Sequence, residues 1–476
     1  FALQPLLPNK LSQLGPSFAW ADVNGDGQKD LYLGGAAGQA GQLFLSGEGG
    51  FARLEGNAPF ASDREREDMG CAFFDADGDG DLDLFVASGG VEAPLGAEHY
   101  RDRLYLNEAS AGETPRFVKA PEAVPDLRES AGPVAVGDYD QDGDLDLFVG
   151  ARVVPGLYPT SPKSFLLKNT GGTFSVDGSP LKMGMVTDAT WADIDGDRWP
   201  DLMATTEYGA VRCFRNVEGQ LRDTTSERGL GNLLGWWNGI AAGDVDSDGD
   251  LDFAVSNFGL NTKYQPSARK PQVIFHADFA ATGKKNVVEA KKTADGGLLP
   301  VRGKSCSTSA MPHLSQKFST FHAFASASLK EIYPESVTGN CLRLEANTLE
   351  SGVLLNEGES FRFIPLPRLA QASPGFGVAF LEVDGDGCLD LLVGQNFFGP
   401  QRETGRMAGG LSLLLLGDGQ GEFAPLGPAL SGISVPGDAT DVAVVDLNTD
   451  GLADLAIATN NGPVRTFLRR QDIPRN

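Results

Sequence analysis

Short runs in which apolar and polar residues alternate recur along most of the chain, each ending in a cluster of Gly, Asp or Asn. SFAWAD (17–22) and AVVD (443–446) show this period of two, and LYLGG (31–35) and LFVAS (84–88) resume it after a polar gap. Alternation of this kind with Gly-rich ends predicts short antiparallel strands. A further hairpin follows in most units, at 42–54, 103–120, 164–176, 210–223, 352–366 and 411–426. Four strands per unit, repeated along the chain, predicts the blades of a β-propeller. The fold class expected is therefore all-β, a seven-bladed propeller of four-stranded blades over 1–476. VRTFLRR (464–470) would supply the third strand of the last blade and the stretch from Ala2 to Leu7 its fourth.

The polar gap between the first two strands of each unit is itself a repeat. It reads Asp-x-Asp-x-Asp-Gly-x-x-Asp and begins at Asp22, Asp75, Asp138, Asp193, Asp244, Glu382 and Asp446. Starts lie 51 to 64 residues apart, save the 138 between Asp244 and Glu382. A hard divalent cation such as calcium takes about 6–8 oxygens from alternate loop positions and a backbone carbonyl. Positions 1, 3, 5 and 9 supply the side-chain oxygens and position 7 a carbonyl, while Gly at position 6 permits the sharp turn.

The expected ligands can be named loop by loop. They are Asp22, Asn24, Asp26, Gln28 and Asp30; Asp75, Asp77, Asp79, Asp81 and Asp83; and Asp138, Asp140, Asp142, Asp144 and Asp146. The fourth and fifth loops offer Asp193, Asp195, Asp197, Trp199 and Asp201, then Asp244, Asp246, Asp248, Asp250 and Asp252. The last two offer Glu382, Asp384, Asp386, Cys388 and Asp390, then Asp446, Asn448, Asp450, Leu452 and Asp454. Carboxylates crowded in this way repel one another unless a cation neutralises them. The cofactor expected is Ca2+, at up to about seven sites. Arg198 stands at the Gly position of the fourth loop and Glu382 lengthens position 1 of the sixth, which weakens the case for those two.

Charge sharpens the picture. A net charge of −25 repels nucleic acid and anionic lipid. No apolar run is long enough to span a bilayer. Phe1 to Lys10 lacks the charged and apolar regions of a signal peptide, so Phe1 reads as a mature terminus or the edge of a longer chain. Cys71, Cys213, Cys306, Cys341 and Cys388 form no CxxC pair, and only Cys306 and Cys341 share a segment that could bridge locally.

Between 258 and 351 the repeat lapses. A degenerate echo at Asp278 has Ala280 and Thr282 where carboxylates should stand, so no tight metal is expected there. If its flanks VIFHAD and NVVEA are blade strands, the ring has eight blades. Leu314, Phe318, Phe321, Phe324, Ala325, Leu329 and Ile332 recur at helical spacing and predict an amphipathic helix at 313–332, laid on the propeller with its stripe inward.

The acidic loops resemble the FG-GAP/VCBS repeats of integrin α-subunit propellers and many bacterial surface proteins. SNFGLNTKY (256–264), the stretch 299–329 and LPRLAQASP (366–374) are similar to bacterial proteins related to cartilage acidic protein. The resemblance implies a propeller, calcium, export to the cell surface or periplasm, and a role in adhesion or extracellular binding.

Three function classes remain in play. The first is a non-enzymatic recognition or scaffolding module for a protein or glycan, with Trp236, Trp237, Tyr158 and Arg152 as candidate contacts. The second is a subunit of an extracellular assembly, joined through the insertion at 258–351. The third is a calcium-dependent polysaccharide-active enzyme. Four scattered histidines and the absence of GxSxG, HExxH or phosphate-loop motifs argue against the third.

Overall fold

The computed structural model describes residues 1–476 apart from 2, 48, 56–58, 110–111, 294, 334–338, 340 and 471–476. The described chain is mostly β, arranged as eight antiparallel sheets, most of them four-stranded, and the architecture is propeller-like. The first strand of each unit is half-buried, as in Gly375–Leu381, whereas the second is almost wholly buried, and throughout in Asp83–Gly89 and Asp390–Gln395. The apolar runs after the acidic loops are thus the strands covered on both faces.

The first strands stand side by side in series. Phe18–Ala21 neighbours Glu67–Phe74, then come Ser130–Gly137, Met185–Ala192, Ile240–Gly243, Gly375–Leu381 and Ala439–Val445, and the last also touches the first. Around one end of these strands lies a cavity of about 200 Å3, ringed by Ser17, Gly70, Asp188, Gly239, Gly377 and Asp441. A Cβ on Gly70 would collide with the Gly132 carbonyl, so the backbones meet too closely there for a side chain.

Phe376 lines this cavity and packs against an aromatic cluster that includes Tyr158, Tyr208, Trp236, Phe258 and Phe397. Trp236 stacks on Phe258 with ring centroids 4.0 Å apart. The N-terminal stretch helps to seal this cluster. Leu7 is buried in it, Gln4 Nε2 donates to the Tyr158 carbonyl, and Lys10 N donates to the Gly399 carbonyl at 2.8 Å. This corrects the expectation that Ala2 to Leu7 forms an outer strand: Ala2 lies outside the described residues, and 3–7 contain no strand. The last sheet has three strands among the described residues, ending with Arg465–Phe467. Leu6 and Leu7 gain more by entering apolar clusters than an edge strand could offer.

The long interruption leaves the fifth unit after Asp252–Val255 and returns at Gly352–Asn356, where Val255 pairs directly with Gly352. Between them lies a separate sheet in the order Leu298–Pro300, Asn286–Lys292, Gln272–Ala277, Leu342–Ala346. None of its strands joins the series of first strands.

The helix expected at 313–332 is broken into three short ones, His313–Lys317, Phe321–Ala325 and Leu329–Ile332. Thr320 and Ser328 interrupt it, each capping a new helix by accepting a backbone N–H, and Ser328 and Glu331 complete a capping box. Leu314, Phe318, Phe324, Leu329 and Ile332 still pack against the inserted sheet, while Phe321 turns outward at 67 % exposure. Cys306 and Cys341 are not bridged; the Cys306 thiol donates to Glu403 instead.

Candidate metal centres

Each acidic loop is organised by its own backbone. The position-1 carboxylate accepts N–H groups from across the loop, as Asp22 does from Gly25 and Gly27, both at 2.7 Å. The position-5 carboxylate accepts the N–H of position 7 in every loop, at 2.8 Å from Gln28 to Asp26 and 2.8 Å from Cys388 to Asp386. Those bonds orient the position-7 peptides of Gln28, Asp81, Asp144, Trp199, Asp250, Cys388 and Leu452.

Two loop positions are left-handed, not one. Position 6 has φ of 95° at Gly80 and 73° at Arg198, and position 4 has φ of 80° at Gly78 and 57° at Gln141. Arg198 therefore adopts the glycine conformation at a steric cost and leaves the loop shape intact.

Position 9 does something the spacing did not disclose. Asp30, Asp83, Asp146, Asp201, Asp252, Asp390 and Asp454 are all buried. In every loop but the third, one oxygen accepts the N–H of position 2, as from Ala76 to Asp83 at 2.9 Å. The other accepts an N–H at the end of the third strand, from Ser46, Asn107, Asn169, Asn216, Asn356, Gly417 or Arg469. Position 9 thus ties the loop to its sheet. Burial raises these carboxyls, Asp83 and Asp146 to about 7 and Asp30, Asp201, Asp252 and Asp390 to about 6. A cation in the loop acts the other way, since it favours the charged form.

The donors that end the third strands form a second repeat. The side-chain amides of Asn107, Asn169, Asn216 and Asn356 reach back to the carbonyls of Val23, Ala76, Tyr139 and Ile194 in the preceding unit. One asparagine thereby joins its own acidic loop to the loop next door. RLYLN, FLLKN, CFRN and VLLN already carry this signal in the sequence.

Five loops bring three carboxylate oxygens within 4.8 Å of one another. They are Asp75, Asp77 and Asp83; Asp138, Asp140 and Asp146; Asp193, Asp195 and Asp197; Asp244, Asp246 and Asp248; and Glu382, Asp384 and Asp390. The fourth and sixth loops, weakened on sequence grounds, are among them. The first and seventh, with Asn24 and Asn448, bring no such triad together. There the asparagine amide donates to the position-5 aspartate, Asn24 to Asp26 at 3.1 Å and Asn448 to Asp450 at 3.2 Å.

The donor set fits a hard cation. Asp81 Oδ1, Asp140 Oδ1, Asp193 Oδ1, Asp244 Oδ1 and Asp246 Oδ1 are enclosed without a hydrogen-bond partner. Enclosed anionic oxygens of this kind are costly unless something positive meets them. In three loops a basic side chain pairs with other oxygens of the set, and in the sixth it is Arg469, 3.6 Å from Glu382. Lys168 Nζ pairs with Asp140 and, at 2.9 Å, with Asp142. Arg215 pairs with Asp195 at 2.6 Å and Asp197 at 3.1 Å. Lys168 and Arg215 precede the asparagine at the end of the third strand, a place held by Leu106 and Leu355 in the second and fifth units.

Residues 22–86 and 193–255 match the model of the FG-GAP-like repeat. The chain carries FG-GAP-like repeats. Each matched stretch of these FG-GAP-like repeats begins at position 1 of an acidic loop and runs into the next second strand, and two such loops fall in each. No curated protein matches the chain. A solved structure to which it is similar, titled "Crystal structure of BBS1N in complex with ARL6DN, soaked with mercury", shares 11% identity at a TM-score of 0.45, covering 98% of this chain and 95% of that one.

The candidate recognition residues are not on the surface. Trp236, Trp237 and Tyr158 are buried, and Trp236 belongs to a strand, Leu234–Trp236, added to the fourth sheet. Arg152 is buried too, paired with Glu207 beside the axial cavity. Trp236, Trp237 and Tyr158 pack inside the fold, and Arg152 lines the cavity. Among the described residues, no helix is long and apolar enough to cross a membrane.

Proposed function

We propose that the chain is a seven-bladed β-propeller, stapled by calcium in its FG-GAP-like loops, that acts outside the cell as a recognition or scaffolding module for a protein or glycan and has no catalytic role. The observation that carries the calcium reading is the set of five carboxylate triads, three of which hold enclosed oxygens without a partner, at Asp140, Asp193, Asp244 and Asp246. Asp75, Asp77 and Asp83, and Asp244, Asp246 and Asp248, are the strongest candidates, because no basic side chain among the described residues pairs with them. The series of seven first strands supports seven blades, with the inserted sheet read as an excursion from the fifth instead of an eighth. Millimolar calcium outside cells keeps even weak sites filled. The stretches similar to bacterial relatives of cartilage acidic protein support export by the same reasoning.

The test is the thermal melt of the purified chain in millimolar calcium and after exhaustive chelation. A steep fall in melting temperature, restored by calcium and not by magnesium, is expected. A melt indifferent to chelation sinks the calcium reading.

A further inference from the structure

Among the described residues, three glutamates are buried: Glu67, Glu207 and Glu289. Glu207 is held by the guanidinium of Arg152 and the hydroxyl of Tyr158. Glu289 is held in the same way by Arg302 at 3.1 Å and the hydroxyl of Tyr264. A guanidinium and a phenol are what this fold uses to keep a glutamate out of water, in line with the cost of burying an unpaired carboxylate.

Glu67 has neither. No basic side chain among the described residues pairs with it, and its Oε2 is enclosed without a hydrogen-bond partner. The hydroxyl of Tyr100, on the same pocket wall, donates to the Ala93 carbonyl. The group that does lie against Glu67 is the Glu92 carboxyl, and with no base between them the two meet by sharing a proton. A Cβ on Gly90 would collide with the Oε2 atoms of both. Burial first, and Glu92 second, push the Glu67 carboxyl upward.

The two face a surface cavity of about 330 Å3, walled also by Glu65, Pro94, His99 and Tyr100. Glu65, Glu92 and His99 are exposed, so the mouth opens to solvent. The cavity is remote from the calcium loops. Glu67 pairs with Gly89 at one end of its strand, and Phe74 pairs with Asp83 of the second loop at the other. At the rise of a β-strand these ends stand roughly 20–25 Å apart.

We propose that this cavity docks the guanidinium of an arginine side chain presented by a partner polypeptide, with Glu67 and Glu92 as its acceptors. The planar fork of a guanidinium can serve two carboxylates at once, which a lysine ammonium does less well. It would complete at Glu67 the pairing that Arg152 and Arg302 complete within the chain. A net charge of −25 draws a basic partner to the surface before contact.

The probe is the capped tripeptide acetyl-Gly-Arg-Gly-amide, titrated calorimetrically into the whole chain in millimolar calcium beside its citrulline counterpart. The arginine peptide is expected to bind, the citrulline peptide at least tenfold more weakly, and Glu67→Gln to lose at least tenfold in affinity for arginine. Glu92→Gln, a change at the exposed rim, should lose severalfold and decides the matter if Glu67→Gln fails to fold. No binding by the unaltered chain, equal binding of citrulline, or equal binding by both variants overturns the proposal. The melting shift on chelation, read on the same samples, stays unchanged in both variants. Its loss together with intact arginine binding would count against the calcium reading alone.

Discussion

The backbone N–H of Asn107 donates to Asp83 Oδ1 at 2.8 Å, although 24 residues separate the two. The bond runs from the end of a third strand to the last position of an acidic loop, and Asp83 also accepts Ala76 N at 2.9 Å. A residue of the metal motif is therefore a structural acceptor with or without a metal. Position 3 of the same loop has no such role, since Asp77 accepts only the long contact of 3.3 Å from Asp79.

This separates two variants. Asp83→Ala should destabilise the chelated protein by about 2–4 kcal/mol, because two buried N–H groups lose their acceptor. Asp77→Asn should leave the chelated protein nearly unchanged and reduce the calcium-induced rise in melting temperature. Paired thermal melts of both variants, with and without calcium, make the comparison, and equal behaviour would remove the distinction.

The third and fourth loops hold their own cations in Lys168 and Arg215. A tethered ammonium competes with a free divalent ion for the same oxygens. Lys168→Met and Arg215→Met should each tighten calcium binding at one site and lower the melting temperature slightly in chelator. Calcium stoichiometry by equilibrium dialysis at low free calcium reads the gain, and an unchanged isotherm in both variants rules the competition out.

The asparagine clasps predict a cost without calcium in the account. Asn216 Nδ2 donates to the Tyr139 carbonyl at 2.7 Å, joining consecutive units. Asn216→Ala should cost about 1–3 kcal/mol in chelator and in calcium alike, since the enclosed Tyr139 carbonyl loses a donor. Denaturant titration measures it, and a loss confined to one of the two conditions would show that the clasp acts through the metal.

Acidity gives a further test, at the axial cavity and away from the loops. Burial raises Asp441 to about 8, with the nearby Asp188 charge adding to it, and raises Asp188 to about 6. Both lie above the ordinary 3.8, so the folded chain holds these protons more firmly than the unfolded one. Their contribution is complete below about pH 4 and is lost as pH rises through 6 and then 8. Asp441→Asn keeps an acceptor for Val442 N, which is 2.8 Å from Oδ1. Relative to the unaltered chain it should gain stability at pH 9, on the order of 2–3 kcal/mol, and the gain should shrink toward pH 5. Melts in saturating calcium follow the difference, and a difference that does not vary with pH would contradict the assignment.

The loops were legible in the sequence because their chemistry needs carboxylates at fixed short spacing. The strands beside them were legible because period-two alternation is local. What escaped depends on distant partners. Asn107 and Asn216 occupy visible places at strand ends, but nothing near them in the chain says that Val23 and Tyr139 are waiting. Trp236 and Trp237 read as candidate contacts because an extra strand on the fourth sheet has no repeat to announce it. The helix at 313–332 had the right apolar spacing, yet Ser328 and Glu331 already spelled the capping box that divides it.

The pairing of Val255 with Gly352 gives the excursion between them a doorway one strand-pair wide. Whatever leaves the fifth blade there comes back beside its point of departure, so the blade registers none of the length in between. What fills the doorway is nonetheless built in, since Ile274, Val287 and Ala346 pack into the same cluster as Trp236 and Tyr158.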